Sequence, residues 1–192
     1  MNEKSRAVPT AEALGAELER VRGRKRFLKL LYNTVASLIV VAAVAVLVSM
    51  LFLPALRVTG VSMTPTLHND ELVVCRRIGG FEKGDIIAFY HNNKILLKRV
   101  IGVAGDVIDI KTDGSVYVNG EKLDEPYVDS LSYGTCDIEL PYQVPDNRYF
   151  VMGDHRSESI DSRTKEIGCI VEEMIIGKVI WCIWPLDSIK IM

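Results

Sequence analysis

Histidine is scarce in this 192-residue sequence: His68, His91 and His155 are the only three, and their spacing suits no metal. His68 and His91 read as surface or satisfied polar residues. Cysteine is limited to Cys75, Cys136, Cys169 and Cys182. None of these forms the short pair of a zinc ribbon or a redox CxxC, so neither a metal nor a cofactor is expected. No glycine-rich phosphate loop, internal repeat or low-complexity run is present, which leaves nucleotide chemistry without a foothold. A net charge of −2 gives no reason to expect a nucleic-acid partner. Charge is missing altogether from Leu30 to Leu56, and this local absence says the most about the chain.

Val35 to Leu56 is an apolar run rich in Val, Ala and Leu. As a helix rising about 1.5 Å per residue it is long enough to cross a hydrocarbon core of roughly 30 Å. One span in the lipid bilayer, residues 30–56, is expected. It is retained rather than cleaved, because the apolar region of a secretory signal is shorter, about 7–15 residues, and starts closer to the N-terminus. Arg20, Arg22, Arg24, Lys25, Arg26 and Lys29 crowd one flank, whereas Arg57 is isolated on the other. The positive-inside rule then places residues 1–29 in the cytoplasm and residues 57–192 outside. Leu14, Leu18, Val21 and Leu28 fall at helical spacing; an amphipathic helix on the inner leaflet and an inward extension of the span explain them equally well. The four cysteines all lie in the external part, as core residues or structural bridges, with three full pairings open.

From Val58 onward, short apolar runs alternate with turn signals, which predicts strands. They are expected at Leu72–Arg76, Asp85–Tyr90, Ile95–Val103, Val107–Lys111, Ser115–Val118, Arg148–Met152 and Lys178–Trp184. Asn119-Gly120 and Asp113-Gly114 mark tight turns. So many strands with so little helix imply a mainly β domain of coiled or closed antiparallel sheets. Residues 121–147 are polar and broken by Pro126, Gly134, Pro141 and Pro145, and read as a surface excursion. The paired acids Asp70-Glu71 and Asp124-Glu125 read as solvated turns.

Two residues could carry chemistry, while plainer readings stay open on the residues alone: an ordinary turn at Ser62 and a solvent-facing strand lysine at Lys98. Ser62 follows the span within Thr59-Gly60-Val61-Ser62-Met63-Thr64-Pro65-Thr66-Leu67, and Lys98 lies in the apolar stretch Ile95-Leu96-Leu97-Lys98-Arg99-Val100-Ile101. Desolvation disfavours an ammonium ion, so a lysine walled by apolar groups titrates below its reference of about 10.4 and can take a proton from a serine hydroxyl. Ser-Lys is an accepted form of the nucleophile and base pair.

In chain order the sequence carries TGVSMTPTL from Thr59, GDIIAF from Gly84, KRVIGVAGD from Lys98 and GDHRSESIDSR from Gly153. In these successive boxes it resembles the bacterial type I signal peptidases, over roughly Val35 to the C-terminus. The resemblance implies a signal-peptidase-like fold of coiled antiparallel sheets behind one N-terminal transmembrane helix, in the plasma membrane of a bacterium. It implies Ser62 as nucleophile and Lys98 as general base. Ser159 is then expected to hydrogen-bond and orient the lysine, Asp161 and Arg163 to form an ion pair holding the site's shape, and Met63 and Leu97 to line shallow pockets for small side chains. The implied substrates are signal peptides of exported preproteins, cut after Ala-x-Ala. Two positions depart from the pattern. Gly60 stands where some relatives carry a serine whose hydroxyl helps form the oxyanion hole, so that donor is missing and the Ser62 N–H remains. His155 stands where an asparagine is usual; a triad of Ser62, His155 and Asp154 is disfavoured because neighbours on an extended segment point opposite ways. The competing reading is a catalytically inactive, membrane-anchored β domain acting as a binding or assembly module. A self-cleaving repressor with the same dyad fits less well, since nothing before Leu30 is large enough for a DNA-binding domain.

Overall fold

The computed structural model describes residues 11–77 and 79–192; the first ten residues of the segment expected to be cytoplasmic lie outside the described residues. The chain falls into two units, Met1–Val48 and Ser49–Met192. Among the described residues the first holds one helix, α1 (Ala11–Phe52), which ends at Phe52 beyond the boundary. From Glu17 to Phe52 it is long and apolar enough to cross a membrane, and none of its most apolar stretch is buried by the protein itself. Leu18, Val21 and Leu28 belong to this one continuous helix, as an inward extension of the span requires. The helix stops at Phe52, short of Leu56, because Pro54 disfavours helical geometry at Leu53; Ala55–Arg57 is already a strand.

Twelve strands among the described residues build two antiparallel sheets. They are β1 (Ala55–Arg57), β2 (Leu72–Arg76), β3 (Ile86–His91), β4 (Lys94–Gly102), β5 (Val107–Ile110), β6 (Val116–Val118), β7 (Glu121–Lys122), β8 (Tyr142–Gln143), β9 (Arg148–Met152), β10 (Ile170–Val171), β11 (Ile175–Trp184) and β12 (Lys190–Ile191). The larger sheet is ordered β1-β2-β11-β3-β4-β9-β10, with β12 added to β11, and the smaller is ordered β7-β6-β5-β8. The mainly β expectation holds. Two expected strands, Leu72–Arg76 and Arg148–Met152, have the observed bounds, and the last begins earlier, at Ile175.

Strand β3 reads Ile-Ile-Ala-Phe without alternation because both of its faces are covered. Ile86 and Ala88 join Met63, Leu67, Val73, Cys75, Val179 and Cys182 in one core, while Ile87 and Phe89 join Val100, Val151 and Ile170 in another. A third core packs Ile101, Phe150 and Met152 of the large sheet against Ile108, Ile110, Val116 and Val118 of the small one. Each buried aliphatic side chain contributes about 1.5–3 kcal/mol, which fixes the register of β4 between β3 and β9. The cysteines are free thiols, and Cys75, Cys169 and Cys182 are core residues.

Residues 121–147 require a correction. They supply β7 and β8 to the small sheet, and Leu123, Tyr133, Ile138, Leu140 and Tyr142 pack against the third core. The apolar residues are spaced too irregularly for a strand or helix period, so polarity dominates the sequence while single side chains reach inward. The two tight turns are as expected: Asn119 and Gly120 take φ of 54° and 84° between β6 and β7, and Gly114 takes 88°.

Candidate active site

Ser62 sits on a turn that is pinned by its own neighbours. The Thr64 N–H donates to Val61 O (3.0 Å) and the Leu67 N–H to Met63 O (2.8 Å), while Met63 and Leu67 are buried in the core below. Apolar residues one and five positions beyond Ser62 thus anchor the turn and leave its hydroxyl at the surface of a cleft. The Ser62 carbonyl accepts the His155 N–H at 3.1 Å, tying the turn to the Gly153–Arg163 box.

Lys98 approaches from β4, where it pairs with Ile87 of β3. It is 3% exposed, and its Nζ lies 2.6 Å from Ser62 Oγ. Burial lowers the Lys98 pKa from its ordinary 10.5 to about 8; Asp161 pulls it upward, Arg163 lowers it and Asp154 raises it. A group at that value is neutral in about a tenth of molecules at pH 7, and a neutral amine can accept the serine proton.

The backbone at Gly60 explains the glycine. Its φ is +92°, a left-handed conformation unfavourable to serine even though a side chain would meet nothing nearby. The Gly60 N–H is taken by Asn69 Oδ1 at 2.9 Å. The Ser62 N–H makes no hydrogen bond among the described residues and remains available to a developing oxyanion.

Asp161 and Arg163 form the expected ion pair, fully buried, with Nε to Oδ1 at 2.8 Å and Nη2 to Oδ2 at 2.9 Å. Asp161 Oδ2 also accepts the Gly153 N–H at 3.0 Å, and Arg163 donates to the carbonyls of Tyr133 (2.9 Å) and Arg156 (2.8 Å). Ser159 is buried beside them, but the bond expected from it to Lys98 is not formed: among the described residues Ser159 Oγ has no partner, and the side-chain bond of Lys98 goes to Ser62. Gly153 is the reason the pieces come so close. A Cβ there would stand 2.3 Å from Ser159 Oγ and 2.5 Å from Ser62 O.

Two further buried pairs escape sequence reasoning. Arg99, next to Lys98, grips Asp154 through Nε (2.9 Å) and Nη2 (2.6 Å), donates to Gly84 O (2.7 Å) and lies 3.9 Å over the Tyr127 ring. Asp154 Oδ2 in turn accepts Thr66 Oγ1 at 2.5 Å. Arg156 pairs with Glu125, whose side chain is 4% exposed; the solvated-turn reading of Glu125 is therefore wrong. Glu71, also 4% exposed, is wrong for the same reason: it accepts the His68 N–H and lies 3.7 Å from Lys190. Adjacent acids look alike in sequence, and the sheet turns one inward. His155 faces Thr64 Oγ1 through Nδ1 at 2.9 Å, and with Asp154 committed to Arg99 no Ser-His-Asp triad assembles.

A cleft of about 660 Å³ opens at Ser62. Met63 and Leu97 both line it. One wall is β1 and the residues after it, the other the first half of β4. Among the described residues that half of β4 pairs only with β3, since β9 joins it from Arg99 onward, so the outer edge of residues 94–98, which lines the cleft, is free of a neighbouring strand there.

Residues 31–184 match the family described as signal peptidase, peptidase S26. Signal peptidase I S of Bacillus subtilis (strain 168) is 38% identical over 81% of this chain and 90% of its own, and signal peptidase IB of Staphylococcus aureus (strain Mu50) is 36% identical over 84% and 94%. A crystal structure of a signal peptidase I from Enterococcus faecalis V583 aligns with 53% of this chain and 97% of its own at 29% identity, with a TM-score of 0.45. With its residues 31–184 matched by that family and its relatives 36–38% identical over most of both chains, the chain belongs to the S26 family of signal peptidases.

Proposed function

We propose that the chain is a membrane-anchored signal peptidase that removes N-terminal signal peptides from exported preproteins, with Ser62 as nucleophile and Lys98, acting as the neutral amine, as general base. The observation that carries the reading is the 2.6 Å contact between Lys98 Nζ and Ser62 Oγ, made by a lysine whose pKa burial has brought down to about 8. Lys98 takes the hydroxyl proton as Oγ attacks the scissile carbonyl, the Ser62 N–H faces the oxyanion, and Lys98 returns the proton to the leaving amine. Water then attacks the acyl-enzyme with Lys98 as base. No histidine is needed.

The free edge of β4 suits an extended substrate, which would add itself as a strand and leave side-chain selection to shallow pockets. Met63 and Leu97 form those pockets, sized for alanine at the first and third positions before the cut. Ser159 orients Lys98 once a substrate is seated; its buried, unpartnered hydroxyl supports this role, because leaving such a group unsatisfied costs about 1–3 kcal/mol.

Helix α1 anchors the chain as a single span with the basic N-terminal side in the cytoplasm and residues 57–192 on the extracytoplasmic face. Trp181, Trp184, Leu186, Ile189 and Ile191 leave an apolar surface on the β unit that suits a membrane interface. A substrate held in the same bilayer needs few contacts, since its effective concentration is already high.

The test is cleavage of a preprotein bearing an Ala-x-Ala site by the detergent-solubilised full chain. Wild type cuts after the second alanine, and Ser62→Ala and Lys98→Ala each lower kcat by at least about a thousandfold. Undiminished cutting by either variant would refute the dyad, and no cutting by wild type would favour an inactive binding module.

A further inference from the structure

Charge of one sign lines the cleft beside Ser62. Among the described residues three cations, Arg57, Lys94 and Lys98, line it, and no carboxylate does. Two of the three are engaged elsewhere: Lys98 is buried against Ser62 Oγ, and Arg57 is paired with Asp70 at 3.0 Å. Lys94 is exposed at the start of β4, and among the described residues no acid lies within ion-pair distance of it. It is the uncompensated charge of the cleft.

Its position relative to the reaction follows from strand geometry. Lys94 and Lys98 are two strand repeats apart, so their side chains leave the same face of β4 about 13 Å from each other. From Arg99 onward the β4 edge is occupied by β9. An extended chain lying on the free edge therefore reaches from Ser62 toward Lys94 and cannot continue the other way along this strand. On the proposed function, on which this inference rests, the recognised half of the substrate is the half before the cut. That half runs along residues 98 to 94, and with the residue before the cut at Lys98 its fifth residue before the cut comes opposite Lys94.

We infer that Lys94 is a specificity residue, selecting preproteins that carry Asp or Glu five residues before the cut and disfavouring those with Lys or Arg there. The pair forms at the open end of the cleft, where solvent screens it. An exposed pair of this kind corresponds to a preference of roughly two- to fivefold at low salt, weakening as the Debye length falls to about 3 Å at 1 M.

The experiment uses two preproteins identical except for Glu or Lys at the fifth residue before the Ala-x-Ala cut, incubated separately with detergent-solubilised full chain. Wild type gives a higher kcat/KM for the Glu preprotein by roughly two- to fivefold, the ratio shrinks toward one at 1 M salt, and Lys94→Glu inverts it. Each comparison is a ratio within one enzyme preparation, so a partly folded variant does not distort it. Equal cleavage of both preproteins by wild type would overturn the inference while leaving the proposed function intact, as would a Glu preference that survives Lys94→Glu. Failure of wild type to cut either would overturn the proposed function and this inference together.

Discussion

Lys98 is where stability and reactivity pull in opposite directions. Its folded pKa of about 8 lies below the ordinary 10.5 because burial disfavours the charged form. Between those values the unfolded chain binds more protons than the folded one, so stability rises with pH across that window, and the full penalty is present below pH 8. That penalty is on the order of 3 kcal/mol. Replacing Lys98 by Met removes the buried charge, so the inactive variant should be more stable than wild type at pH 7, and the gain should fade by about pH 10.5; denaturant unfolding in detergent at both pH values checks this. In wild type, kcat/KM rises with pH through about 8 as the amine becomes neutral, which a pH-rate profile reads directly. Ser159 gives a second separation. Ser159→Ala deletes a buried hydroxyl that has no partner, so thermal stability should hold or rise, while kcat falls roughly 10- to 100-fold if the hydroxyl aligns Lys98 for proton transfer. A loss of stability without loss of kcat would make Ser159 merely structural.

At the scale of elements, the Gly153–Arg163 segment is held by its charged partners more than by secondary structure. Arg156 and Glu125 pair across 31 positions, and Arg163 reaches the carbonyls of residues 132 and 133. Glu125→Ala leaves a fully buried guanidinium without its carboxylate and should destabilise the β unit by about 3–5 kcal/mol, measurable as a lowered denaturant midpoint with activity lost in parallel. This is also where sequence reasoning reaches its limit. Strands β2, β4 and β9 are legible because apolar runs are bounded by turn residues, and the Ser62-Lys98 contact is legible because both residues sit in boxes whose order is informative. Glu125 gives no such signal. It stands beside Asp124 in a polar stretch, and only the closure of the small sheet onto the large one decides which of the two acids is buried. Strands of two residues, such as β7 and β8, are too short for any period to be read.

Over the whole molecule, a cleft with a free strand edge beside the nucleophile governs what happens after the chemistry as well as before it. On the proposed function, cutting the peptide bond releases the exported part, while the N-terminal fragment would keep the backbone bonds made along residues 94–98. Nothing in the reaction weakens those bonds, so the fragment is a competitor of the next substrate. Adding the synthetic N-terminal fragment to a cleavage assay should raise the apparent KM without lowering kcat. In a bilayer the fragment's apolar half partitions into lipid and draws it off the strand, so the same fragment should inhibit less in vesicles than in detergent. On the proposed anchoring, the membrane would then clear the enzyme of its product as well as deliver its substrate.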